Sequence, residues 1–172
     1  MSAVSVPGPT VTAAQVRAVV AEVPDPEVPV LTIGDLGVLR DVVVDADGRV
    51  RVDITPTYSG CPAMDAIRAD VEQRLAAAGH HGAEVRLVLS PAWTTDWMSA
   101  EGRAKLHDYG IAPPSGRAPV GATGTVALTL AVRCPQCGSP DTRELSRFGS
   151  TACKSLWRCL SCREPFDHFK AH

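Results

Sequence analysis

Arg49-Val50-Arg51-Val52-Asp53-Ile54-Thr55, then Pro56-Thr57-Tyr58-Ser59-Gly60, then Cys61-Pro62-Ala63-Met64 is the stretch from which the fold is read. Val50, Val52 and Ile54 alternate with Arg49, Arg51 and Asp53, the two-residue period of a strand with one buried face. Asp47-Gly48 just before it signals a tight turn. A preceding strand over about Gly37–Asp45, with Val42 and Val44 on one face, therefore completes a hairpin. Pro62 suits the first turn of a helix, where the amide it lacks would have no partner. Met64, Ile67, Val71 and Leu75 then follow at helical spacing, and Gly79 ends the helix.

Working outward, Thr12 and Gln15 have the spacing of a capping box, ahead of Val16, Val19, Val20 and Val23 on a helical stripe. Pro24 stops that helix. Asp25-Pro26-Glu27-Val28-Pro29 reads as a stiff loop carrying two carboxylates, because each proline removes a donor and restricts its predecessor. Beyond Gly79, Val85, Leu87 and Leu89 predict a third strand, and Asp96–Tyr109 a last helix closed by Gly110. The order α-β-β-α-β-α predicts an α+β fold, a small sheet packed with helices.

The remainder differs in composition. Residues 1–132 hold ten Lys/Arg against fifteen Asp/Glu, and residues 133–172 hold seven against four. One cysteine, Cys61, precedes residue 134, and five follow from there. The sequence therefore divides into an acidic unit over 1–111, a Pro/Gly-rich linker over 112–124 and a basic cysteine module over 125–172, opening with a strand at Thr125–Val132. The overall charge of −2 argues against a protein built to coat nucleic acid. No apolar run approaches the roughly 20 residues of a membrane span, and no secretion signal is visible, so the expected location is cytoplasmic.

Cys134-Pro135-Gln136-Cys137 and Cys159-Leu160-Ser161-Cys162 are two C-x-x-C knuckles. Two facing knuckles build a tetrahedral four-thiolate site, and in a reducing compartment that pattern points to metal rather than disulfides. Hairpin strands over Glu144–Phe148 and Lys154–Arg158 and a third at Phe166–Phe169 give an all-β zinc ribbon, the C-terminal part of the fold. Structural Zn2+ supplies the stability so short a module lacks. A rubredoxin-type iron or an iron–sulfur cluster also suits four thiolates, and the spacing does not separate these. His168 and His172 are substitute ligands the paired knuckles do not need. Cys153 is the surplus thiol, either a buried small hydrophobe or an accessory thiol, a reactive group or transient ligand whose ionisation Lys154 and Arg158 favour. Phe148, Trp157, Phe166 and Phe169 could stack bases, but their alternation fits the ribbon's own core.

Cys61 sits at or next to the N-cap of the helix after the hairpin, where the helix dipole favours a thiolate. It reads either as a nucleophile or soft-metal ligand or as a small capping residue. None of His80, His81 and His107 forms a recognisable Cys–His pair with it, and no complete hydrolytic site is legible.

Asp25-Pro26-Glu27-Val28-Pro29, Asp35-Leu36-Gly37 and Thr55-Pro56-Thr57-Tyr58-Ser59-Gly60-Cys61-Pro62 resemble blocks of the iron–sulfur assembly domain of the SufT family and the cytosolic cluster-targeting proteins. Ser90-Pro91-Ala92-Trp93-Thr94-Thr95-Asp96-Trp97-Met98, Tyr109-Gly110-Ile111-Ala112-Pro113-Pro114, Phe148-Gly149-Ser150-Thr151-Ala152-Cys153-Lys154 and Cys162-Arg163-Glu164-Pro165-Phe166-Asp167-His168-Phe169-Lys170 extend the likeness to the PaaD (PaaJ) family of the bacterial phenylacetate-degradation cluster. The resemblance implies a non-catalytic accessory role with 1,2-phenylacetyl-CoA epoxidase, in maturing an iron–sulfur centre. The iron–sulfur reductase is the foremost partner it implies, and a homodimer would let two chains share a cluster. It implies that Cys61 is the functional thiol, a transient iron or cluster ligand, with Asp25 and Glu27 shaping its pocket or a partner surface. A structural adaptor without metal transfer is the alternative, and a nucleic-acid-binding ribbon a further one.

Overall fold

The computed structural model describes residues 11–114 and 132–171. Helix α1 spans Ala13–Ala21, and the capping box forms in full: the Thr12 amide donates to Gln15 Oε1 at 2.9 Å and the Gln15 amide to Thr12 Oγ1 at 3.3 Å. Strands β1 (Leu39–Val44) and β2 (Val50–Ile54) pair antiparallel, and β3 (Glu84–Leu87) joins β2 in parallel. Helix α2, Ala63–Ala77, is the crossover that a parallel pair requires. Met64, Ile67, Val71 and Leu75 are its buried stripe, with Ala63 beside them.

Two expected elements differ. Leu87 and Leu89 are exposed, because β3 is a sheet edge that ends at Leu87; only Val85 of the expected trio reaches the core. The last helix is divided into a 3-10 turn at Thr95–Trp97 and α3 at Ala100–Asp108. The break has a local cause. Thr94 Oγ1 accepts from the Asp96 amide, and Ser99 Oγ accepts from the Gly102 amide, so each segment has its own cap.

The second sheet has the order β4-β7-β6-β5. Strands β5 (Thr142–Ser146), β6 (Lys154–Cys159) and β7 (Pro165–Phe169) form the expected antiparallel ribbon. Its fourth strand, β4 (Ile111–Ala112), comes directly after α3 and runs parallel to β7. Thus Ala112, expected to open the linker, pairs with the ribbon. The rest of the expected linker beyond Pro114, and the strand over 125–132 apart from Val132, lie outside the described residues, as does His172.

The two units share a core. Cys153 and Phe169 belong to the same buried apolar cluster as Val28, Leu31, Leu36, Trp93 and the interior of α2. Phe169 meets Trp93 with ring centroids 6.3 Å apart, and Trp93 Nε1 donates to the Leu36 carbonyl at 2.9 Å. A smaller cluster of Ala112, Val132, Cys134, Cys159 and Phe166 backs the knuckles. No helix among the described residues is long and apolar enough to cross a membrane.

The Asp35-Leu36-Gly37 corner holds the first unit together. The Asp35 carboxylate accepts from the Thr32 amide, Ser99 Oγ and Lys105 Nζ, the last at 2.9 Å. Burial opposes its ionisation, but Lys105 and the Thr32 donors outweigh that and hold the carboxyl below its usual range. Gly37 has φ +69, and a Cβ there would stand 2.5 Å from the Trp97 carbonyl oxygen, so glycine is required twice over.

Candidate metal and thiol sites

The knuckles converge. Cys134, Cys137, Cys159 and Cys162 place their sulfurs within 4.8 Å of one another. Cys134 and Cys162 Sγ are 3.7 Å apart, and Cys137 and Cys159 Sγ 3.6 Å. Tetrahedral Zn–S bonds of about 2.3 Å require sulfur separations of about 3.8 Å, so the donor set fits zinc. The amide N–H groups of Cys162 and then Ser161, donated to Cys159 Sγ, pull that thiol down to about 6. Cys162 receives the Glu164 amide, but desolvation and the adjoining sulfurs take it up to about 12. The split records competition for protons among packed sulfurs, which a cation at the centre abolishes by displacing them. His168 lies outside this group. It is buried beside Ser155, with Trp157 packed edge-on at 5.8 Å, and burial pushes its imidazole down to about 4.

The second site is built on two loops of the first unit and one of the ribbon. Asp25 is buried, and its Oδ1 accepts from the Glu27 amide at 2.9 Å and the Val28 amide at 2.7 Å. These bonds fix the stiff loop that presents Glu27. Cys61 stands one residue before the Pro62 N-cap, as the strand–loop–helix order leads one to expect, and is half-buried. Desolvation nevertheless raises its thiol; the Ala63 amide lowers it, and Glu27 raises it again. The expected effect of the helix terminus is therefore present but overridden by burial and carboxylates. The Cys61 amide donates to the Tyr58 carbonyl at 3.3 Å, and the Tyr58 phenol is taken up to about 12 by desolvation and then by the Cys61 and Glu27 charges.

Cys153, the candidate accessory thiol, meets Glu27, a juxtaposition the sequence does not announce. It is 4% exposed, within the shared core, and its thiol donates to Glu27 Oε2 at 3.6 Å. Desolvation raises it to about 11, the Thr151 hydroxyl lowers it and Glu27 raises it. The expectation that Lys154 and Arg158 favour its thiolate is thus corrected: Lys154 does lower it, but burial and Glu27 win. Desolvation raises the Asp25 carboxyl above its ordinary range, only partly offset by the Val28 and Glu27 amides and by the charge of buried Lys154, whose Nζ stands 3.7 Å from Asp167. Beside the Cys61 loop, Thr55, Tyr58, Ser59, Ala92 and Trp93 line a cleft of about 360 Å³.

An α+β unit with a thiol and two carboxylates on adjoining loops is thus joined to a four-cysteine ribbon whose donor set fits zinc. Residues 13–87 match the iron–sulfur cluster assembly protein family, and residues 118–170 match the PaaD zinc beta ribbon domain. The chain is 47% identical over 156 residues, 91% of each protein, to a putative 1,2-phenylacetyl-CoA epoxidase component of Escherichia coli (strain K12). It belongs to the PaaD family. The first unit alone resembles a Porphyromonas gingivalis Fe-S protein maturation auxiliary factor, 41% identical over 48% of this chain and 78% of that one. The crystal structure of a domain of unknown function from Bacillus anthracis overlays on 55% of this chain and 90% of that one, with a TM-score of 0.51 and 29% identity.

Proposed function

We propose that this chain is an accessory protein of phenylacetyl-CoA epoxidase in phenylacetate degradation, and that it assists assembly or delivery of an iron–sulfur cluster to an epoxidase component. It acts in the cytoplasm as a maturation factor, with no turnover of phenylacetyl-CoA of its own. The iron–sulfur reductase is the client whose chemistry this fits. The observation that carries the reading is the grouping of half-buried Cys61 with Tyr58, Glu27 and Asp25 ahead of α2. Two carboxylates beside a desolvated thiol oppose its ionisation. An iron cargo reverses that balance, because its positive charge offsets the carboxylates while its softness suits sulfur. Cys61 would then lose its proton to solvent as cargo arrives and regain one as it leaves. Asp25 shapes the loop, and Glu27 supplies the charge.

The test is iron and acid-labile sulfide in the epoxidase components, co-expressed with wild-type protein, with Cys61→Ser, or with neither. Serine keeps the size and removes the soft ligand, so the expected result is loss of client cluster approaching that seen without the protein. Full clusters in the absence of the protein refute the reading and leave the structural adaptor in its place.

A further inference from the structure

The residue after the second cysteine of each knuckle has the same backbone conformation but not the same side chain. In the first knuckle Gly138 follows Cys137, with φ +73. In the second Arg163 follows Cys162, with φ +67, the one non-glycine residue of positive φ among the described residues. Glycine enters that region freely, whereas a residue with a Cβ is strained there. The turn calls for glycine, and the chain places a guanidinium in it. Arg143 on β5 and Arg158 on β6 stand directly opposite each other, an arrangement in which like charges oppose strand pairing. Arg158 Nε donates to the Arg163 carbonyl at 3.2 Å and ties β6 to the knuckle. The three arginines, with Cys159 and exposed Leu160, line a cleft of about 250 Å³. Among the described residues none of the three is ion-paired, although Glu144 and Glu164 are sequence neighbours. Zn2+ and four thiolates carry −2 together, less than the charge of three guanidiniums.

We propose that this cleft is an anion site for the phosphate of a small molecule, a diphosphate or a phosphate monoester, held by Arg143, Arg158 and Arg163. Planar guanidinium forks match phosphate oxygens two at a time. A compact, multiply charged anion meets all three arginines around one cleft. An acidic peptide segment, with its charges spaced along a chain, is matched by cations spread over a surface instead. No aromatic ring lines the cleft among the described residues, so the base stacking that single-stranded nucleic acid uses has no platform there. An occupant offsets the repulsion across β5 and β6 and gives the strained Arg163 a purpose that glycine could not serve. The site is separate from Cys61 and does not depend on the delivery role. Two sources offer the same chemistry: free pyrophosphate, and the headgroup of an acyl-CoA, the compound class on which the epoxidase acts.

The experiment titrates the zinc-loaded full chain by calorimetry with pyrophosphate, with acetyl-CoA and with a hexaglutamate peptide. Zinc content, zinc release and urea unfolding are measured for every variant. The wild type is expected to bind pyrophosphate at a single site. Arg163→Gly removes a guanidinium and relieves the backbone together. Its urea midpoint should therefore hold or rise while its affinity falls at least about tenfold. Arg143→Gln should lose a similar factor with its zinc retained. Arg163→Lys, which keeps the charge but not the fork, should fall between Arg163→Gly and the wild type. Tighter binding of acetyl-CoA than of pyrophosphate, lost in the same variants, assigns the site to a CoA headgroup; the reverse order assigns it to free phosphate. The proposal is overturned if the wild type binds neither, or if Arg163→Gly binds both as the wild type does. Tighter binding of the hexaglutamate peptide through these arginines also overturns it, and makes the cleft a docking surface for an acidic chain. Faster zinc release from Arg163→Gly at unchanged affinity overturns it in favour of guanidiniums that serve the metal centre alone.

Discussion

Phe169→Ala tests whether the ribbon and the first unit are one folding unit. Phe169 is 1% exposed and sits on β7, yet its ring packs on Trp93 of the first unit. Truncating a buried phenylalanine costs about 3–5 kcal/mol, through lost transfer energy and the cavity left behind. About 0.5–1.5 kcal/mol of that is the aromatic pairing itself. Against a total stability of about 5–15 kcal/mol, this is a large fraction. With a urea dependence of about 2–3 kcal/mol per molar, the midpoint should fall by about 1–2 M. The assay is urea unfolding of the zinc-loaded chain, followed in parallel by tryptophan fluorescence and by zinc release. A shared core predicts coincident transitions in the wild type and a joint shift in the variant. Separate midpoints, with only zinc release moved by the substitution, would refute it and show that the contact between units carries little energy.

Two further outcomes follow from the Asp35–Gly37 corner. Gly37→Ala should destabilise by about 2–5 kcal/mol in urea unfolding, combining the left-handed backbone penalty with overlap on the Trp97 carbonyl; a change under about 1 kcal/mol would sink the argument. Asp35→Asn should cost about 1–2 kcal/mol at neutral pH, a charged hydrogen bond discounted because Lys105 stays one-third exposed. The folded carboxyl lies below its unfolded value. Its contribution is therefore present above the unfolded value and lost as pH falls through the folded one. The gap between wild type and variant should close below about pH 4, and a gap independent of pH would contradict the assignment.

What was legible in the sequence was whatever a local period encodes. The α2 stripe, the β1–β2 hairpin and the α1 capping box follow from side-chain direction alone, as do the paired knuckles from ligand spacing. At β3 the alternation gives the strand, but not whether it is covered; Leu87 belongs to an edge. The split before α3 had a signal in Thr94 and Ser99, two side chains able to cap, which a single helix over Asp96–Tyr109 does not use. Cys61 stood out by its place before Cys-Pro-helix, but the balance of charges around it did not. Glu27 and Cys153 meet through tertiary packing, and nothing within either segment announces a partner 126 residues away.

The two-residue pairing of β4 with β7 also bears on how the chain can be cut and grafted. Ile111 and Ala112 follow α3 directly and cover an edge of the ribbon sheet. A ribbon excised at residue 132 would therefore carry its cysteines but expose the backbone of β7, and unpaired edges recruit other chains. A transplantable module would need α3 and β4 to travel with it, so its boundary lies ahead of Ala100 and not at the cysteines.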